Sequence, residues 1–296
     1  MEKKNISRAA NELGISQPSL SRILGSVEKR LGTRLFERGS RGVHATEIGK
    51  NVCAHAREIV DAHLSIRNCV NDLAGFLAGP VCIALPESVG SFLSVHLINY
   101  FRKYHPHIDL RIMFSRNQTI AYYLNAGIAN VGVVDETGIN NLMISPLCSE
   151  NFYLVSKINE IIGKNPNITM SEIIDLPLLL PALSGSIRSI INPAFAKRNI
   201  RISVAMEVDS MAGILDLVKD GFGYSLLPYS ILYRSIIREE VEAKLITEDS
   251  IKRNMFTALP SNRPCSFLVR SVEKEVRKVV KMHSEGAKWN SSNANL

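Results

Sequence analysis

The stretch "ELGISQPSLSRILGSVEKRL" (residues 12–31) restricts the fold more than any other part of the chain. The segment before it, residues 6–13, holds the alanine pair Ala9 and Ala10 and has a helical pattern. Gly14 breaks that helix where the chain needs a left-handed turn, which glycine adopts without steric cost. Ser16 then supplies an N-cap, and Pro18 stands in the first turn, where its missing N–H costs nothing. Leu20, Leu24, Val27 and Leu31 recur at helical spacing, so residues 17–31 carry one apolar face. The reading is helix, glycine turn, helix. On the opposite face Gln17, Ser19, Ser21 and Arg22 gather at the start of the second helix. In a DNA-reading helix-turn-helix these positions meet base edges, and Gln and Arg suit adenine and guanine respectively. Any structural amphipathic helix pair shows the same pattern, so the segments that follow decide between the two readings.

Residues 31–49, "LGTRLFERGSRGVHATEIG", read as a strand, a Gly/Ser turn and a second strand. Arg34, Arg38, Arg41 and His44 are spread along it, as in a basic wing that sits on phosphates and orients a protein on DNA. The charge layout agrees. The chain has a net charge of +7, and residues 1–50 hold ten Lys or Arg against five Glu, leaving only +2 for the rest. A basic end on a nearly neutral body fits contact with a polyanion, although charge alone also fits a solvated surface. Thr46 caps a long helical stretch from Glu47 to about Phe76, with a stripe of Ile48, Val52, Ala56, Ile59, His63, Ile66 and Val70. Such a helix needs a partner, and a second copy of the chain is the expected one.

After Gly79-Pro80 the pattern alternates between strand and helix. "VCIALP", "IDLRIMF", "NVGVV", "PLLLP", "ISVAMEV" and "YSLLP" are the strands; residues 88–104, 119–127, 186–198 and 210–221 are the helices. Alternation of this kind indicates parallel strands with crossover helices. Two α/β lobes are expected, lobe I from about 79–155 with 256–286 and lobe II from about 156–255. The strands at residues 147–157 and 256–259 are the expected crossings. A cleft between such lobes is lined by helix N-termini, whose free N–H groups suit a small anion. Ser88, Ser91, Gln118, Thr119, Leu183, Ser184, Ser186 and Asp209 are the candidate contacts, and each hydroxyl also has a plain N-cap reading. Arg188 fits either a ligand carboxylate or a surface ion pair. Gly221 and Gly223 read as a helix C-cap and the start of a strand, because no GxGxxG or Walker spacing is present. Phe101, Tyr104 and Phe114 are expected in the core, and the polar tail 287–296, with Trp289, is expected to be disordered.

The alanine pair Ala9-Ala10, then "SQPSLSR" from Ser16 to Arg22, "LGTRLFER" from Leu31 to Arg38, and "TEIG" from Thr46 to Gly49 stand in one order. This run resembles the winged helix-turn-helix of LysR-type transcriptional regulators. "YHPHIDLRI", "LPLLLP" and "EVDSMAGILDLVKDGFGYSLLP" resemble the same family's effector-binding region. The resemblance implies an α+β multi-domain chain. It comprises a winged helix-turn-helix at residues 1–46, a linker and dimerisation helix at 47–78, and a two-lobed, periplasmic-binding-protein-like α/β effector domain at 79–286. It implies a regulator that binds double-stranded promoter DNA through Ser16, Gln17, Pro18, Ser19, Ser21, Arg22, Arg34, Arg38 and Arg41. It further implies a small organic anion as effector, a homodimer or homotetramer, and RNA polymerase as a partner. Family members carry one more helix ahead of the alanine pair, which here would leave Leu13, Leu20 and Leu24 partly exposed. The two readings are a misplaced start, or a truncated member defective in DNA binding that serves as a ligand-binding or heterodimerising partner.

Other classes find little support. The five cysteines (Cys53, Cys69, Cys82, Cys148, Cys265) form no CxxC pair and have no His at metal-ligand spacing, so reduced, buried thiols and no metal or cofactor are expected. Neither a GxSxG elbow nor HExxH occurs, and an enzyme is not expected. The first eight residues are polar, and no apolar run approaches the roughly 18 residues of a membrane span, so a cytoplasmic chain without a membrane partner is expected.

Overall fold

The computed structural model describes residues 6–39, 42–56, 59–60, 77–135, 140–160, 165–183, 185–247 and 251–286. The chain divides into two compact units, residues 1–66 and 67–296. The first contains α1 (Ile6–Glu12), α2 (Gln17–Leu31), β1 (Phe36–Gly39), β2 (Gly42–Ala45) and a helix at residues 47–56, α3. Gly14 adopts φ 65° between α1 and α2, and Gly32 adopts φ 66° after α2. These are the left-handed positions where a Cβ would be strained. Ser16 caps α2, its Oγ accepting from the Ser19 N–H at 3.3 Å. Of the three leucines expected to be partly exposed, Leu13 is exposed and Leu24 half-buried, but Leu20 is buried, in a module where α2 packs against α1. The long helix is described at residues 47–56 and 59–60; its expected remainder, and Cys69, lie outside the described residues. Ile48 and Ile59 on its stripe are exposed.

The second unit is built on β3 (Gly79–Pro86), α4 (Glu87–Tyr104), β4 (Ile108–Ser115), α5 (Asn117–Asn125), β5 (Val131–Val134) and the long β6 (Leu142–Ser156). It continues with β7 (Asn167–Ile168), α6 (Met170–Ile173), β8 (Leu178–Leu180), α7 (Ser186–Ala196), β9 (Val204–Glu207) and α8 (Met211–Lys219). β10 (Ser225–Pro228), α9 (Tyr229–Ile237), β11 (Glu242–Ile246), β12 (Lys252–Pro260) and α10 (Phe267–Gly286) complete it. Strand order is β4-β3-β5-β12-β6-β11-β7, with β10 also paired to β6 and a separate β8-β9 pair. β3 runs parallel to β4 and β5, whereas β12 is antiparallel to both β5 and β6. Period-two alternation explains why β3 reads as a continuous apolar run: Ile83 and Leu85 belong to the large core, while Cys82 and Ala84 join Ile120 and Leu124 of α5 on the other face.

β6 serves both lobes. Its residues 142–151 pair with β12 and its residues 152–156 pair with β10 and β11. This is the crossing expected at residues 147–157. The return differs from expectation: β12 pairs with lobe I strands from Lys252 onward, so the chain has already crossed back before Phe256. Phe101 is buried, but Tyr104 and Phe114 are about half exposed and do not belong to the core. Tyr104 ends its helix beside Tyr100, and Phe114 lies over Gly90, where a Cβ would come within 2.4 Å of its ring. Gly221, after α8, has φ 85°, and at Gly223 a Cβ would meet the Pro177 carbonyl at 2.5 Å. Among the described cysteines only Cys82 is buried; Cys53, Cys148 and Cys265 are half-buried and free.

Candidate DNA interface and ligand cleft

In the first unit the residues predicted to touch DNA occupy one end of α2 and the wing. Ser16, Gln17, Pro18 and Arg22 are exposed, and Ser19 and Ser21 are half-buried. Ser16 and Ser19 hydroxyls lie 2.9 Å apart, and the Gln17 amide donates to Ser21 Oγ at 3.2 Å, which steadies the polar face. β1 and β2 form a hairpin with Phe36 opposite Ala45. Arg34 is exposed just ahead of it; the Arg38 side chain and Arg41 lie outside the described residues. Two polar contacts fix the wing to the helices. Glu28 of α2 accepts from the Leu35 and Phe36 N–H groups at 2.8 and 3.1 Å. Thr46 Oγ1 donates to the Arg34 carbonyl at 3.0 Å and accepts from the Gly49 N–H at 2.9 Å, capping α3. A Cβ on Gly49 would stand 1.9 Å from the Leu35 carbonyl oxygen. The Thr46-to-Gly49 motif is thus a cap followed by a close approach of two backbones.

In the second unit the starts of α4, α5, α7 and α9 meet around a buried ion cluster. Arg253, fully buried on β12, is at its centre. Its Nε donates to Glu150 Oε1 at 2.6 Å, and its Nη2 donates to the same carboxylate and to Ser230 Oγ at 2.9 Å. Its Nη1 donates to Ser88 Oγ at 2.7 Å and to Asp135 Oδ2 at 3.3 Å. Glu150, also fully buried, accepts from the Ser230 N–H at 2.9 Å, so it caps α9. Asp135, just after β5, accepts from the Asn117 side-chain amide at the start of α5 and from Ser186 Oγ, 3.1 Å away, at the start of α7. At the rim, Arg116 of lobe I donates to Asp209 of lobe II at 2.9 Å, both side chains being exposed. Cys148, two residues before Glu150 on β6, has its thiol pushed up to about 12, first by burial and then by the Glu150 charge.

Of the predicted cleft residues, Ser88, Ser186 and Asp209 take part in this constellation. Gln118 and Thr119 stand in the first turn of α5, exposed and half-buried, and Leu183 is exposed ahead of α7. Ser184 and the Ser91 side chain lie outside the described residues. Arg188 is buried, donating to Asn192 at 3.1 Å and to the Pro181 carbonyl at 3.3 Å, and its Nη1 stands 4.0 Å from Glu207 Oε2, so of the two roles it makes an ion pair, from a buried position rather than at the surface. Sequence reasoning missed Arg253, Glu150 and Asp135. A signal for Arg253 existed: strand alternation places it on the buried side of β12 with Met255 and Thr257. Among the described residues no group of three His, Cys, Asp or Glu could hold a metal, and no helix is long and apolar enough to cross a membrane.

Comparison with known proteins places both units. The family model for the "bacterial regulatory helix-turn-helix protein, lysR family" matches residues 1–50, and that for the "LysR substrate binding domain" matches residues 74–281. The first match, over residues 1–50, does not favour the alternative of a defective module. The HTH-type transcriptional regulator BbuR of Bordetella bronchiseptica is 27% identical over 258 residues, covering 86% of this chain and 78% of that relative. A full-length OxyR variant from Pseudomonas aeruginosa has a similar fold, with TM-score 0.77 and 22% identity over 98% of this chain and 93% of that one. Full-length CbnR complexed with its target DNA gives TM-score 0.61 at 21% identity, covering 94% and 95%. With a helix-turn-helix module matched at residues 1–50 and a two-lobed domain matched over most of the chain, this protein belongs to the LysR family of transcriptional regulators.

Proposed function

We propose that the start of α2 reads promoter DNA in the major groove while the β1-β2 wing rests on phosphates, and that the occupant of the lobe I–lobe II cleft sets the protein's regulatory state. The observation that carries the first part is the orientation of α2: Leu20 is buried while Gln17 and Arg22, on the same first two turns, face outward. The similarity to CbnR, solved with its target DNA, supports this use of the module. A small organic anion suits the cleft, because the starts of α4, α5 and α7 carry Ser88, Asn117 and Ser186 together there. Exposed Ile48 and Ile59 support self-association through the helix that begins at residue 47. The protein would then act in the cytoplasm, where promoter DNA and RNA polymerase are its partners.

The test separates base reading from phosphate contact. Arg22→Ala is expected to relax sequence preference at a cost of about 1–3 kcal/mol, measured by binding to DNA upstream of the protein's own gene and to random DNA. Arg34→Ala is expected to weaken both DNAs alike and to flatten the salt dependence by about one unit of slope. Equal losses on both DNAs for both variants would overturn the assignment.

A further inference from the structure

Two of the donors expected to receive an anion, Asn117 and Ser186, already hold one. Asp135 is the first residue beyond β5, and its carboxylate is only 1% exposed. One oxygen accepts from the Asn117 amide in lobe I. The other accepts from Ser186 of lobe II at 3.1 Å and from Arg253 at 3.3 Å. The Asp135 N–H returns a bond to Asn117 Oδ1 at 3.4 Å, which fixes the pair. Three donors from three distant parts of the chain thus converge on one carboxylate, and α5 and α7, of nine and eleven residues, both start beside it. The guanidinium that could attract a second anion is engaged by Glu150 as well, so the cluster holds two carboxylates against one cation. A free carboxylate entering beside them would add a third negative charge in a dry environment, which is strongly disfavoured.

We infer that Asp135 is a built-in anion: it fills the position of an effector carboxylate, joins lobe I to lobe II through Ser186, and must be displaced before an external carboxylate can bind there. The inference rests on the reading of the cleft as the effector site, and it gives that site a regulatory character. The two lobes are held together by the chain itself, with Arg116 and Asp209 bridging the rim. An effector carboxylate acts by exchange with Asp135, releasing the Ser186 tie between the lobes.

The test is chemical rescue in the full-length protein. Asp135→Ala removes the carboxylate and leaves Asn117, Ser186 and Arg253 around a space of formate size. Formate is expected to raise the Tm of this variant in a saturable way, half-maximal at about millimolar concentration given three non-hydrogen atoms, with chloride at equal ionic strength as control. The wild type and the isosteric Asp135→Asn are expected to show no saturable shift. A saturable shift in the wild type, or none in a folded Asp135→Ala, overturns the inference. Should Asp135→Ala fail to fold in plain buffer, refolding in formate is expected to recover it, and failure to do so overturns the inference equally. Binding to DNA upstream of the gene, measured with and without formate, addresses the underlying reading separately. Rescue without any change in DNA binding supports the built-in anion and overturns the cleft as the effector site; rescue with a change supports both.

Discussion

The two units hold their polar groups in opposite ways. In the DNA-binding unit the partners are near neighbours: Ser16 with Ser19, Glu28 with Leu35 and Phe36, Thr46 with Gly49 and Arg34, none of these more than twelve residues apart. In the effector domain Arg253 meets Glu150 across 103 residues and Ser88 across 165. The first kind of contact leaves a motif in the sequence, since spacing and chemistry must agree over a short stretch. The second leaves only isolated charged residues inside apolar strands. The DNA-binding unit also leaves Gln17 and Arg22 of α2 exposed to solvent, whereas the effector domain buries Arg253 and Glu150, where charges are worth most and cost most.

The sharpest way to break this contrast is Arg253→Met. Removal of the guanidinium strands Glu150 and Asp135 in a dry interior, and a loss of about 3–5 kcal/mol is expected by urea denaturation of the second unit. A loss below about 1 kcal/mol would mean that the cluster is better solvated than its burial implies. Gly49→Ala tests the local kind of contact. The added methyl collides with the Leu35 carbonyl, a backbone atom that cannot rotate away. A cost of about 1–3 kcal/mol is expected. Hydrogen exchange should show it in the first unit alone, and equal loosening of both units would contradict their separation.

A gentler effect is expected from pH. His96 of α4 and His283 of α10 stack with ring centroids 3.8 Å apart. Both are held below the ordinary 6.5, His96 by burial, then by His283 and Arg234, and His283 by burial. The fold therefore favours the neutral rings. Their contribution is whole above pH 6.5 and is lost as pH falls from there through the lowered folded values. The Tm of the second unit should decline over that window, and His96→Gln should flatten the decline. An unchanged slope in the variant would assign the pH dependence to other groups.

Much of the fold was legible for the same reason that the DNA-binding motif was. Gly14, Ser16, Pro18 and Thr46 act on their immediate neighbours, and the alternating strands of the second unit announce themselves by local hydrophobicity. Tyr104 and Phe114 were misplaced because aromatic size says nothing of which side of an element faces solvent. α9 and α10 went unread, although Leu268, Val272, Val276 and Val279 repeat at helical spacing along α10. Of the cleft, the helix-leading hydroxyls were visible as possible caps. The carboxylate they face was not, since nothing near Asp135 marks it as different from the end of any other strand.

The position of β12 has a consequence for how this protein comes into being. It lies between β5 and β6, yet residues 252–260 are synthesised after every other described strand. Until they leave the ribosome, β5 and β6 each present an unpaired edge, and Glu150 waits without its counter-ion. A nascent chain halted before Lys252 therefore carries exposed strand edges of the kind that promote aggregation. Arrival of one nine-residue strand closes both edges and neutralises the buried charge in a single step, so lobe I matures last although most of it is made first.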